Sequence, residues 1–224
     1  MKHTIPIRGS VESLQITKIY CLGRNYAEHA KEMNSDVPSN PVVFLKPATA
    51  LLQDGAPIIR PRISHLLHHE VELYVAIGKG GKHISSNEAR NHILGYGICL
   101  DMTLRDLQNA SKKDGQPWTI AKGFDTSAPV SPIIPAREIE DPHALEIRCS
   151  VNGKLRQKSS TGKMIFRIDE LIAFISSIFT LEPGDLIFTG TPEGVGEVRE
   201  GDTVTAELTG HISITHPVSE ERPA

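Results

Sequence analysis

Cysteine is scarce: Cys21, Cys99 and Cys149 are three thiols in 224 residues, widely separated and outside any CxxC pair. An odd, dispersed set excludes a disulfide framework and a thiolate zinc site, and the three are expected to be buried, inert residues in a reducing compartment. Aromatics are also few, with six Phe, four Tyr and one Trp, and no basic run gathers the Lys and Arg. With a formal net charge of -3, a nucleic-acid partner is not expected. No stretch approaches the ~18 apolar residues of a membrane span. The opening MKHTIPIRGSVESLQITKIYCLG lacks a sustained apolar segment and a small-residue cleavage pattern, so the expected location is cytoplasmic and away from membranes. Three nucleotide or nucleophile signatures are missing as well: the GKST ending of a Walker loop, a G-x-S-x-G elbow, and a G-x-G-x-x-G turn opening a helix.

What remains is an ordinary globular composition, 39% hydrophobic and 23% charged, long enough to bury one sizeable core. No internal repeat, low-complexity tract or long linker divides it, so residues 1–224 are read as a single domain. The first half alternates strand and helix. ITKIYCLG reads as a strand, RNYAEHAKEM as a helix broken by NSDVPSNP, VVFLKP as a strand stopped by Pro47, and PIIRPRISHLLHHEVELYVAIGK as a long extended region. A short helix over 87–94, the strand GYGICLDMT and the helix TLRDLQNASKKDGQ, ended by Gly115, follow. The second half opens with a hairpin around Asn152-Gly153, continues with an amphipathic helix in IDELIAFISSIFTL, and closes with Gly-punctuated short strands.

The chemistry concentrates in a few places. In LLHHEVELYVAIGK, strand alternation puts Glu70, Glu72 and Tyr74 on one face and Val71, Leu73 and Val75 on the other. A carboxylate pair in an otherwise apolar strand costs several kcal/mol if buried without a cation or protons. Asp101, between an apolar strand and a helix, offers a third oxygen ligand or a helix N-cap. Three such carboxylates suit a hard cation. His68 and His69 lack the further His or Cys of a zinc site. His29 and Glu32 can meet one helical turn apart, leaving one imidazole nitrogen free as a base. A charged surface helix explains the same spacing. TGTPEGVG offers hydroxyls and backbone N–H groups with little bulk, a lining for a carboxylate or carbonyl oxygen.

GRNYAEHAKEM, VVFLKP, HHEVEL, GYGICLDMTLRD, PWTIAKGFD and LEPGDLIFTGTPEGVG occur in one order over most of the chain. In that set the sequence resembles the fumarylacetoacetate hydrolase superfamily, in particular its small acylpyruvate hydrolase and 2-hydroxyhepta-2,4-diene-1,7-dioate isomerase-like branch. The resemblance implies an α+β fold, a strand-rich mixed β-sheet roll with a few covering helices, a homodimer, and a mobile lid around 24–41. It implies Mg²⁺ or Mn²⁺ on Glu70, Glu72 and Asp101, a catalytic His29–Glu32 dyad with Lys122, and a substrate shell of Arg24, Tyr26, Lys46, Arg105, Gln108 and Thr191. A cation chelating a 2-oxo acid would act as a Lewis acid where an enolate oxygen develops. The expected reaction is therefore hydrolysis of the carbon-carbon bond of acylpyruvates. Oxaloacetate decarboxylation or keto–enol tautomerisation ranks second, and dienoate isomerisation or hydration third. A non-catalytic metal-binding module would be favoured by broken ligands or a broken dyad, and both are intact. One departure, Lys163 before Met-Ile where relatives often carry a small polar or acidic residue, leaves the site unmoved.

Overall fold

A computed structural model of the chain describes residues 3–33 and 36–222. Of the segment 24–41 expected to form a lid, Asn34 and Ser35 lie outside the described residues. Extended backbone dominates, and two large sheets carry it. The larger runs in the order Val42–Pro47, Lys18–Gly23, Leu186–Phe188, Val71–Ile77, Ile93–Leu100, Ala128–Val130, Leu51–Gln53, with Ile134–Pro135 pairing against Ile93–Leu100. It is mixed: Leu186–Phe188 lies parallel to Lys18–Gly23 and antiparallel to Val71–Ile77. The second sheet orders Lys154–Ser160, Glu146–Val151, Thr203–Leu208, Ile212–Glu220 and Ile58–Arg60. This is the strand-rich α+β roll anticipated from the sequence.

The alternation of the Glu70 strand is realised with both faces covered. Val71, Leu73, Val75 and Ile77 enter the larger core, with helix Ile168–Ile178 packed over it. Tyr74 and Ala76 enter a second cluster with Ile19, Cys21, Cys99 and Phe188 on the opposite face. Every residue of Val71–Ile77 is buried, so Glu72 has no solvated face to occupy. The three cysteines are free and buried, as expected.

Local chemistry accounts for the elements that frame the site. Helix α1, Ala27–Glu32, is shorter than the predicted RNYAEHAKEM because Tyr26 remains extended. Helix α2, Arg105–Asp114, ends at Gly115, whose φ of 65° is the left-handed cap geometry. Asn152 and Gly153 take φ values of 52° and 73° in the expected tight hairpin. Two expectations change. The helix over 87–94 is a 3-10 turn, Ala89–His92, leading directly into strand Ile93–Leu100. The long extended region over 57–79 is three strands rather than one, because Leu67–His69 pairs with Thr103–Leu104 and Gly196–Val198 in a separate small sheet. Lys163 is exposed in the turn Thr161–Lys163.

Candidate active site

Glu70 sits at the break between strands Leu67–His69 and Val71–Ile77, and Glu72 lies two residues on. Asp101 follows strand Ile93–Leu100, which pairs with the Glu72 strand, and the Asp101 N–H donates to Glu70 O at 2.8 Å. Asp101 is not a helix cap, since α2 begins beyond Leu104 without a side-chain cap. One oxygen from each of the three carboxylates falls within 4.8 Å of the others, and all three residues are buried.

Cationic side chains surround the acids. Lys122, at the end of the short helix α3 (Thr119–Lys122), donates to Glu70 Oε2 at 2.8 Å, Asp101 Oδ2 at 2.7 Å and Thr103 Oγ1 at 2.6 Å. Arg105 donates to the other Glu70 oxygen and, at 2.6 Å, to Gln108 Oε1. Burial would raise the Glu70 carboxyl, but the Lys122 and Arg105 charges and His29 outweigh it and hold it well below the usual carboxylate range. Glu72 goes the other way: burial first, then the Asp101 and Glu70 charges, push it well above that range, against Lys122 and the Gly190 N–H. Burial would lower the Lys122 ammonium, and the Asp101 and Glu70 charges more than reverse that.

The donor set fits a hard divalent cation. It is all carboxylate oxygen, and one of its members, Glu72, has its carboxyl pushed upward by burial and then by the Asp101 and Glu70 charges, which a cation would offset. Asp101 Oδ1 is a further sign. It lies 2.8 Å from Lys46 Nζ, yet the angle is not that of a hydrogen bond, so this buried oxygen has no hydrogen-bond partner. The cavity among these groups has room for an ion beside the carboxylates.

The loop after strand Leu186–Phe188 closes the other side. Thr189 Oγ1 donates to Leu73 O and Thr191 Oγ1 to Val71 O, both at 2.8 Å, while the Gly190 N–H between them donates to Glu72 Oε2 at 2.7 Å. Gly190 has a φ of 95°, and a Cβ there would stand 2.7 Å from Asn25 Cβ, so only glycine lets the loop present that N–H. Above it, His29 Nδ1 is 3.3 Å from Glu32 Oε2, and the Gly194 N–H of the same loop donates to both Glu32 oxygens at 3.1 and 3.2 Å.

Of the residues singled out in the sequence, His29, Arg24, Glu70, Glu72, Asp101, Arg105, Gln108, Lys122 and Thr191 line this one cavity. Glu32 stands behind His29. Two others are not on its wall. Lys46 reaches Asp101 from the rear, donating to Met102 O at 3.2 Å and to Lys122 O. Tyr26 is buried with its hydroxyl unpartnered, its phenol pushed upward by burial and then by the Glu72 charge. His68 and His69 are held elsewhere: Arg105 Nε donates to His68 Nδ1 at 3.4 Å, and His69 Nδ1 bonds Gln157 Oε1 at 2.9 Å. Burial, then the Arg105 charge, lowers the His68 imidazole to about 4.

Gln157 was missed in the sequence. Fully buried on strand Lys154–Ser160, it accepts from the Val71 N–H at 3.0 Å through Oε1 and donates through Nε2 to Thr191 Oγ1 and Pro192 O at 2.9 Å. It thus ties the residue between the two glutamates to the Thr191 loop. The available signal was an inward position opposite Cys149 in the hairpin that carries an amide instead of an apolar side chain.

Comparison with known proteins places the whole chain. The family model described as fumarylacetoacetate (FAA) hydrolase C-terminal matches residues 18–219. The chain is 51% identical over 200 residues to mouse oxaloacetate tautomerase FAHD1, mitochondrial, covering 89% of this chain and 90% of that protein. The crystal structure of fumarylpyruvate hydrolase from Pseudomonas aeruginosa in complex with Mn²⁺ and pyruvate superposes with a TM-score of 0.94 at 39% identity, over 97% of this chain and 96% of that one. That of 2-hydroxyhepta-2,4-diene-1,7-dioate isomerase from Mycobacterium marinum gives 0.82 at 40% identity, over 94% and 77%.

Proposed function

We propose that this chain, which belongs to the fumarylacetoacetate hydrolase family and is an enzyme like its relatives, interconverts the keto and enol forms of oxaloacetate. The observation that carries this is the 51% identity, nearly end to end, to a protein named for that reaction. It reorders the expectation from the sequence, which placed acylpyruvate hydrolysis first. The hydrolytic reading stands second, supported by the fold match to a fumarylpyruvate hydrolase at 39% identity.

Glu70, Glu72 and Asp101 are the residues that would hold a divalent cation, Mg²⁺ or Mn²⁺. When bound, such a cation supplies Lewis acidity toward the carboxylate and 2-oxo oxygens of the substrate. The chain's own residues do the rest. Glu32 engages His29 Nδ1, leaving Nε2 to take a proton from C3 of the keto form while the 2-oxo oxygen gains one from water, and in the reverse direction to return a proton to C3 as the enol O–H gives its own up to water. Lys122 keeps positive charge and N–H donors beside the acids, where negative charge on the 2-oxo oxygen is offset. Thr191 and Arg105 border the same space and orient the substrate carboxylate. For an acylpyruvate, His29 would instead activate a water against the distal carbonyl.

The deciding experiment follows enol-oxaloacetate absorbance and pyruvate release side by side, using chelator-stripped protein with and without Mg²⁺ or Mn²⁺. Enol decay faster than the buffer control without pyruvate supports tautomerisation. Pyruvate from acetylpyruvate or fumarylpyruvate, with no acceleration of enol decay, overturns it in favour of the hydrolase.

A homodimer is also proposed. Strand Val42–Pro47 is an edge of the larger sheet, and exposed Leu45 and Phe179 line an apolar groove of about 710 Å³ beside it. Sedimentation of the wild type and of Leu45→Glu tests this, a monomeric wild type refuting it. Among the described residues no helix is long and apolar enough to cross a membrane. Three buried free thiols suit a reducing compartment, and cytoplasm is the placement proposed, with fractionation as its test because the mouse relative carries a mitochondrial name.

A further inference from the structure

We propose that Lys112, together with Arg24, forms a receiving site for the second carboxylate of the substrate, selecting 2-oxo dicarboxylates over 2-oxo monocarboxylates. This rests on the 2-oxo acid reading above and extends it to the distal end of the ligand.

Helix α2 acts as a ruler. Arg105, Gln108 and Lys112 fall at spacings of three and four, hence on one face. Arg105 bonds Glu70 at the acidic end of the cavity, and Gln108 bonds Arg105. Lys112 lies one turn beyond Gln108, roughly 6 Å further along the axis. The carboxyl carbons of an extended four-carbon diacid are separated by three C–C bonds, about 4 Å. A ligand whose 2-oxo acid end lies at Glu70 and Asp101 and whose long axis follows α2 therefore brings its other carboxylate within reach of a flexible lysine stem. Lys112 is exposed, placing it at the solvent end of the cavity it lines with Arg24.

The charge balance points the same way. Four cationic side chains line this cavity: Arg105 is matched to Glu70, and Lys122 to Glu70 and Asp101. Lys112 and Arg24 have no ion pair among the described residues. Lys112 lies over the face of Trp118, 5.3 Å from Nζ to the ring centre, which aims the ammonium without neutralising it. Arg24 is held in place as well. Its φ of 60° is unusual for a residue with a side chain. The adjoining Asn25 is clamped by donating to Thr189 O at 2.8 Å and Phe166 O at 3.0 Å and accepting from Phe166 N at 2.7 Å. Partial enclosure of its head group, then the Arg105 charge, lowers the Lys112 ammonium, with Lys122 and Arg24 adding to this against the opposing pull of Glu70.

Lys112→Met keeps the stem over Trp118 and removes the charge from an exposed site, so folding is not at stake. Calorimetry on Mn²⁺-loaded protein would measure oxalate, which has no distal arm, and then its displacement by oxaloacetate and by oxaloacetate 4-ethyl ester, which lacks only the distal charge. The expected result is a wild-type preference for the diacid over the ester that falls about tenfold or more in Lys112→Met, with oxalate affinity unchanged. An unchanged preference in Lys112→Met overturns the proposal, as does an equal loss for oxalate, which would mean a diffuse field. If oxaloacetate fails to displace oxalate from the wild type, the 2-oxo acid reading falls with it. Displacement that ignores Lys112 sinks this inference alone.

Discussion

Glu72→Gln separates the cost of the acidic cluster from its use. The amide keeps the shape of the side chain and can still accept the Gly190 N–H now 2.7 Å from Oε2. In metal-free wild type the Glu72 carboxyl keeps its proton well above the ordinary range, because of burial and then the Asp101 and Glu70 charges. The unfolded chain releases that proton near pH 4.3. The folded state then binds more protons, so metal-free stability falls as pH rises from about 4.3 toward the folded pKa. Glutamine has no such dependence. The metal-free variant should therefore equal wild type near pH 4 and exceed it at pH 7.

Bound metal should act in the opposite direction. A cation at about 1,000 times its Kd stabilises the fold by about 4.1 kcal/mol. For a chain of this size that raises Tm by roughly 8 to 16 °C. If losing one carboxylate weakens binding about 100-fold, the same metal concentration gives only about 1.4 kcal/mol, roughly 3 to 6 °C. Calorimetric melting at pH 4.5 and pH 7, with and without Mn²⁺, reads both effects. A full metal-induced shift in Glu72→Gln would refute the ligand assignment, and a metal-free variant less stable than wild type at pH 7 would refute the account of the buried proton.

Three further perturbations have distinct signatures. His29→Ala should slow enol decay by about 10² to 10⁴ while leaving the Mn²⁺-induced rise in Tm intact; an undiminished rate removes the dyad from the mechanism. Gln157→Leu frees the Val71 N–H and Thr191 Oγ1 from their buried partner and should weaken Mn²⁺ binding about 10- to 100-fold by titration calorimetry. Wild-type affinity there would show that the glutamates orient themselves without it. Gly190→Ala forces a side chain to φ 95° and against Asn25 Cβ at 2.7 Å, so a loss of about 1 to 3 kcal/mol is expected in denaturant melts, and a neutral result would mean that the loop is free to shift.

Local signals were legible wherever one short segment decides its own geometry. The Asn152-Gly153 turn, the Gly115 cap and the apolar stripe of Ile168–Ile178 each carry their cause within a few residues. The acidic pair was legible for the same reason, since alternation alone sets Glu72 with Tyr74. What alternation does not carry is a change of sheet. Residues 67 to 77 are extended throughout, yet Glu70 is where the chain leaves the small sheet and enters the large one. The partners that impose this break, Gly196–Val198 and Ile93–Leu100, are distant in sequence. The same limit hid Gln157, whose partners Val71 and Thr191 are 86 and 34 residues away. Lys112 was missed for a different reason: its face of α2 was legible, but its lack of a counter-charge is visible only once the neighbours are assembled.

The hydrogen bonds of the Thr189–Gly194 loop join parts that the reaction would use separately. Gly190 holds Glu72, Thr191 holds the backbone at Val71 and is held by Gln157, and Gly194 holds Glu32 against His29. The His29–Glu32 pair, the loop and Glu72 are thus one bonded unit, and displacing the loop would disturb all three together. A unit of this kind can serve proton transfer at C3 or attack by water without rearrangement, because both need the same base above the same chelated 2-oxo acid. Choice of reaction must then come from groups outside the unit that decide how the substrate's far end is held and whether a water fits beside it. Of the cations that line the cavity, Arg105 and Lys122 are paired with Glu70 and Asp101, and Arg24 and Lys112 have no ion pair among the described residues, so substrate choice can change there while the chemical machinery stays in place.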